Sequence, residues 1–235
     1  MILYLHGFRS SPNSFKARVM AARLTELGRS EEWCCPMLPV SPLETIALAE
    51  SLVAAAEPSE VTVVGSSLGG YYATHLAEKH NWPAVLLNPA VVPQRDLSHY
   101  LGEQPLWHGG GSIIVEPHHL DELRALGVAA ITRPERYYLI AATGDEVLDY
   151  REMLAHYLDR RQRPRYQRVR TVRRRRARLL RCRGCRAAGA PRGGLIHAAG
   201  AQDERGGSTT TNTLPLRGQS RSARRYGRCK SEREY

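Results

Sequence analysis

The chain has 235 residues and a formal net charge of +11, a length that suffices for one domain with a sizeable core. The charge is divided, with residues 1–158 summing to −7 and residues 159–235 to +18, so an acidic enzyme-like body is followed by an Arg-, Gly- and Ser-rich tail. No run is long and apolar enough for a transmembrane helix, Met1 to Leu5 lack the basic start and cleavage site of a leader, and five cysteines, with Cys34 and Cys35 adjacent, argue for free thiols in a reducing, cytoplasmic setting.

In chain order, Ile2 to Leu5 read as a buried strand that runs into a loop, His6 to Pro12. Ser14 to Leu27 read as a helix, with Phe15, Val19, Ala22 and Leu27 at helical spacing and Gly28 as the stop. Trp33 to Leu38 suggest a second strand, weakened by Pro36. Pro42 opens a helix over Leu43 to Ala56 that ends before Pro58. Val61 to Val64 are a β-branched run, a short buried strand, and Leu68 to Ala77 a helix with Leu68, Tyr72, Leu76 and Ala77 on one face. Ala84 to Leu87 form another buried strand. Residues 91–134 are irregular, carry Gly109-Gly110-Gly111 and one helix near His119 to Leu126, and read as a cap or lid. Arg136 to Ala142 are a strand, Thr143 to Val147 its exit loop, and Leu148 to Leu158 a helix. Strands alternating with helices imply an α/β body over residues 1–158, a mostly parallel sheet with helices on both faces.

Gly65-Ser66-Ser67-Leu68-Gly69 sits between the β-branched run and the helix and matches G-x-S-x-G. A turn this short forces Ser67 into a strained backbone, and the two glycines admit close strand–helix approach. The strain exposes the Ser67 hydroxyl, and the helix N-terminus directs N–H groups at an anion formed there. His6 to Phe8, Ser67, Asn88 and Asp145 all fall at strand carboxyl ends, where ligands bind on such sheets.

The motifs Leu3 to Pro12, Gly65 to Thr74, Leu87 to Val91, Tyr100 to Gly102 and Thr143-Gly-Asp-Glu-Val-Leu-Asp-Tyr-Arg151 resemble the small bacterial YqiA/YcfP-type esterases of the α/β-hydrolase fold, over about residues 1–158. The resemblance implies a serine hydrolase that acts on esters or thioesters through an acyl-enzyme, with no cofactor or metal and a small-molecule partner. Ser67 is then the nucleophile, and the N–H groups of Phe8 and Leu68 form the oxyanion hole. Asp145 is the triad acid, preferred over Glu146 and over Asp149, which suits a helix cap. His6 reads as a buttress of its loop, because the base comes last in the fold's order.

The base itself is not found. Family members carry a last strand and then a His-containing loop, and nothing after Leu158 matches it. His197 is the only later histidine, without a strand or helix leading to it. His118 and His119 lie in the lid segment. His75, His80, His99, His108 and His156 read as surface positions.

Residues 159–235 show no sustained period and read as a disordered basic tail. An Arg-rich nucleic-acid arm is disfavoured because aromatic residues to stack on bases are scarce. A zinc site on Cys182-x-x-Cys185 lacks two ligands at metal spacing. The leading reading is translation out of frame, since Arg-rich, Lys-poor sequence is what a GC-rich gene yields in the wrong frame. A one-base shift across Ala177 to Arg181 permits a His-Gly/Ala-Phe-Ser-Asp string. The chain as written would then be an impaired or inactive hydrolase-like protein.

Overall fold

Short aliphatic runs bounded by Gly, Pro and polar turns build a parallel sheet, because side chains alternate across it and both faces are covered by crossover helices. The computed structural model describes residues 1–107, 110–157 and the backbone of 168–172. In chain order the elements are β1 (Ile2–Leu5), α1 (Phe15–Glu26), β2 (Trp33–Cys34), α2 (Pro42–Val53), β3 (Thr62–Ser66), α3 (Leu68–His80), β4 (Ala84–Leu87), α4 (Pro93–Leu97), β5 (Gly102–Pro105), β6 (Ser112–Val115), α5 (Pro117–Ala125), β7 (Tyr137–Ala142), α6 (Tyr150–Tyr157) and β8 (Arg168–Val172). The main sheet runs β2-β1-β3-β4-β7-β8 with every pair parallel, and β5-β6 form a separate antiparallel hairpin. Among the described residues no helix is long and apolar enough to cross a membrane.

The register sorts the core. Leu3, Leu5, Val63, Leu86 and Leu139 are buried against Ile46 and Ala49 of α2, Ala73 and Leu76 of α3, Leu123 of α5 and Met153 of α6. Tyr4 and Val64 point the other way and meet Ala17 of α1 and Cys35. The helices therefore cover both faces, as the alternation of strands and helices requires. Cys35 is a free thiol whose pKa burial pushes up to about 12.

Several sequence expectations are corrected. Phe15 and Val19 were expected on the buried face of α1, yet they are 72% and 50% exposed, and the helix packs through Ala17 and Leu24 instead. A small residue at the contact lets α1 lie close on the sheet. The second strand stops at Cys34, because Pro36 offers no N–H to the ladder. The 91–134 segment holds a hairpin that the sequence did not announce, since Gly102-Glu-Gln-Pro105 has neither β-branched residues nor alternation. The absence of a last strand is also overturned. β8 pairs with β7 from Tyr138↔Arg168 to Ala142↔Val172. Its signal was the alternation Arg168-Val169-Arg170, masked by the surrounding arginines. The expectations of disorder over 159–235, of a zinc site on Cys182 and Cys185 and of a frame change at about residue 160, together with His108 and His197, fall outside the described residues, apart from the strand at 168–172.

Candidate active site

β3 enters α3 through one residue, and that residue is Ser67 at φ 54, ψ −121, a conformation that a side-chain-bearing residue adopts only under constraint. The constraint is visible on both sides. The Ser67 N–H donates to the Leu87 carbonyl at 3.1 Å, and the Ser67 carbonyl accepts from Gly70 at 2.9 Å and Ala90 at 3.0 Å. A methyl group on Gly65 would collide with the Gly69 backbone, and one on Gly69 with the Leu5 and His6 carbonyls. These are close approaches that only glycine permits.

The loop after β1 supplies the opposing wall. A methyl group on Gly7 would lie 3.2 Å from Ser67 Cβ, so this loop rests against the nucleophile turn. Among the described residues neither the Phe8 N–H nor the Leu68 N–H has a hydrogen-bond acceptor. Both residues line one cavity of about 140 Å³, together with Met37, Leu38, Tyr72, Leu106 and Ile113. Ser67 and Asp145 do not line it. The loop is held by the hairpin. The Trp107 N–H donates to the Arg9 carbonyl at 2.8 Å, Arg9 Nε–H donates to the Pro105 carbonyl at 2.5 Å, and the guanidinium lies 4.1 Å over the Trp107 ring. Arg9 itself has φ 58.

His6 is 4% exposed and has no ring nitrogen to spare. Nε2 accepts from the Leu38 N–H at 3.2 Å, which places the proton on Nδ1, and Nδ1–H donates to the Gly7 carbonyl at 3.1 Å. Burial pushes its pKa below the ordinary value, against a smaller upward effect of the Gly7 carbonyl. The ring braces the loop.

Asp145 stands at the end of β7, separated from β3 by β4, and Asn88 at the end of β4 holds it. Asn88 Nδ2–H donates to Asp145 Oδ2 at 2.6 Å, and its Oδ1 accepts from the Ala142 N–H at 2.7 Å. The Asn88 backbone is left-handed at φ 46, a conformation that asparagine tolerates better than most. Asp145 Oδ1 accepts from the N–H groups of Val147 and Leu148, each at 3.0 Å. Burial alone would raise the Asp145 pKa. Its two backbone donors, Asn88 and the Lys16 charge outweigh burial and hold the carboxyl below its ordinary value. Lys16 Nζ–H also donates to Ser66 Oγ at 3.0 Å, beside the nucleophile turn. Sequence reasoning placed Asn88 at a strand end without giving it this task, and it missed Lys16, because a lysine on an exposed helix carries no local signal. Asp149 accepts from the Arg151 N–H at 2.8 Å and begins α6, the capping role expected of it, and Glu146 is exposed.

Among the described residues no histidine ring hydrogen-bonds Ser67 or Asp145. His75 Nδ1–H donates to the Leu126 carbonyl at 3.0 Å, and His80 pairs with Glu50 at 2.7 Å. Glu116, His118 and His119 present three donor atoms within 4.8 Å of one another, which invites a metal ion. His119 argues against one. Its Nδ1 accepts from the Glu116 N–H at 3.0 Å, so its proton sits on Nε2 and no lone pair is left for a cation while the cap holds. His119 is a buried helix-capping residue.

A model of the uncharacterised protein family UPF0227 matches residues 1–166, eight residues beyond the extent read from the motifs. A "Putative hydrolase from Agrobacterium vitis S4" aligns with a TM-score of 0.53 at 18% identity, over 74% of this chain and 78% of that one. The mouse alpha/beta hydrolase domain-containing protein 10 aligns with a TM-score of 0.50 at 17% identity, over 74% and 79%. At these identities the likeness establishes the α/β-hydrolase fold.

Proposed function

Because the chain belongs to the uncharacterised protein family UPF0227 across residues 1–166, we propose that it is a serine hydrolase that cleaves a carboxylic ester or thioester through an acyl-enzyme on Ser67. The observation that carries this is Ser67 itself, held at φ 54, beside Leu68 and Phe8, whose N–H groups have no acceptor among the described residues and which both line one cavity. Attack by Ser67 Oγ on an acyl carbonyl makes an oxyanion, and two fixed N–H donors stabilise it without reorganisation. Removing one such donor typically costs about 10²–10³ in rate. Asp145, already held as a carboxylate, fixes the tautomer of an imidazole and balances the imidazolium that forms when it takes the serine proton. The substrate is a small molecule, the setting cytoplasmic, and no cofactor or metal takes part.

The imidazole belongs in the loop after β8, and β8 ends at Val172. Because the family match runs to residue 166 and β8 pairs with β7, we infer that the change of frame lies after Val172 rather than at about residue 160. The string that the alternate frame permits at 177–181 follows β8 in sequence, where the order of the fold calls for the base. A second reading follows from the same place. Without a histidine beside Ser67 the chain as written is an impaired hydrolase-like protein. Turnover of p-nitrophenyl butyrate by the chain and by Ser67→Ala separates the two. A Ser67-dependent rate supports the enzyme, and equal rates support the impaired form.

A further inference from the structure

The cavity beside Ser67 contains a polar group that the protein leaves unused. Tyr72 is 3% exposed and lines the cavity, and among the described residues its hydroxyl has no hydrogen-bond partner. Other buried tyrosines are satisfied. Tyr71 donates to the Leu123 carbonyl at 2.5 Å, and Tyr157 shares a 2.7 Å bond with Thr74. The Tyr72 oxygen is not sealed in the core, since the sealed side-chain atoms without a partner are Trp82 Nε1, Gln94 Oε1 and Arg136 Nε. It keeps some accessible surface, and its residue lines this cavity. Of the other polar side chains there, His6 uses both ring nitrogens and Arg9 is clamped on the hairpin, while the Ser10 hydroxyl lies on the partly exposed loop. Burial pushes the Tyr72 phenol well above its ordinary pKa, so it remains a neutral donor at any physiological pH.

The rest of the lining sets size and character. Met37, Leu38, Pro39, Val40, Leu68, Leu106 and Ile113 are apolar, and the volume is about 140 Å³. A dry cavity of about 150 Å³ admits benzene. An acyl group of that size that is wholly apolar would strip water from the Tyr72 hydroxyl and offer nothing in return, and sites with such a donor reject ligands that lack the acceptor.

We propose that Tyr72 is a specificity-determining residue and that the acyl group bound here is short, no larger than a benzene ring, and carries an oxygen acceptor to which the Tyr72 hydroxyl donates. The inference deepens the Ser67 hydrolase reading and rests on it for the end of the cavity at which the acyl carbonyl lies. Its test needs neither the nucleophile nor the base. Pentanoate and 4-oxopentanoate are titrated into the full chain, and binding is followed by the methyl resonances of Leu106 and Ile113. The 4-oxo acid binds about tenfold more tightly, the worth of one hydrogen bond in a buried site, and in Tyr72→Phe the ratio falls to about one. That pattern supports the assignment whatever the rate of Ser67-dependent turnover, so failure of the hydrolase reading is distinguishable. Equal or tighter binding of pentanoate, a preference that persists in Tyr72→Phe, or no methyl shift with either acid would overturn it.

Discussion

Asn88→Ala tests how the acid turn is held. The substitution removes a 2.6 Å bond to the Asp145 carboxylate and a 2.7 Å bond from the Ala142 N–H, and it leaves an alanine at φ 46. A hydrogen bond to a charged group contributes about 1.5 kcal/mol at a half-exposed site, the neutral one about 0.5–1 kcal/mol, and an alanine in the left-handed region costs about 1 kcal/mol. The sum is about 3 kcal/mol, which for a domain of this size lowers Tm by about 6–12 °C. Asp145 also loses a donor to its charged form, so its carboxyl pKa rises toward the ordinary value. Denaturant unfolding gives the first quantity, and carbonyl NMR of labelled aspartate gives the second. Asn88→Gly accepts the backbone without strain and recovers part of the stability, but it leaves the Asp145 shift in place. An unchanged unfolding midpoint together with an unmoved Asp145 titration in Asn88→Ala would refute the reasoning.

Gly69→Ala places a methyl group against the Leu5 and His6 carbonyls, which are backbone and cannot yield, so the variant loses the cooperative unfolding transition or shifts it down by more than about 4 kcal/mol, read by circular dichroism. The His6 pKa is held below its ordinary value of 6.5, as are those of His75, His119 and His156. The unfolded chain therefore takes up protons before the folded one, and stability is full above about pH 6.5 and falls as pH drops through the folded values. Unfolding midpoints at pH 7.5 and pH 5.0 show that loss, and His6→Asn makes the difference smaller.

The nucleophile turn was legible because its constraint is local. Gly65 and Gly69 flank Ser67 between a β-branched strand and a helix, and no other backbone solves that spacing. β1, β3, β4 and β7 were legible for the same reason, as aliphatic runs with clear breaks. What escaped depends on partners distant in sequence. Asn88 acts on Asp145 57 residues away, and Lys16 reaches Ser66 across 50 residues. The exposed faces of Phe15 and Val19 reflect which side of α1 meets the sheet, and helical spacing alone does not choose between two apolar stripes. β8 was obscured because arginines occupy alternate positions in a strand that pairs through its backbone.

The most direct test of the central claim is a paired assay. The chain as written and the protein read in the alternate frame after Val172 are each measured on p-nitrophenyl butyrate beside a Ser67→Ala control. Triad members act as a unit, so a missing base leaves only the residual contribution of the oxyanion hole and binding. The account predicts Ser67-dependent turnover in the alternate-frame protein at least about 10³-fold above that of the chain as written. Equal Ser67-dependent rates in both would contradict it and would direct attention to His197 as the base. No Ser67-dependent rate in either would contradict the assignment of Ser67 as nucleophile.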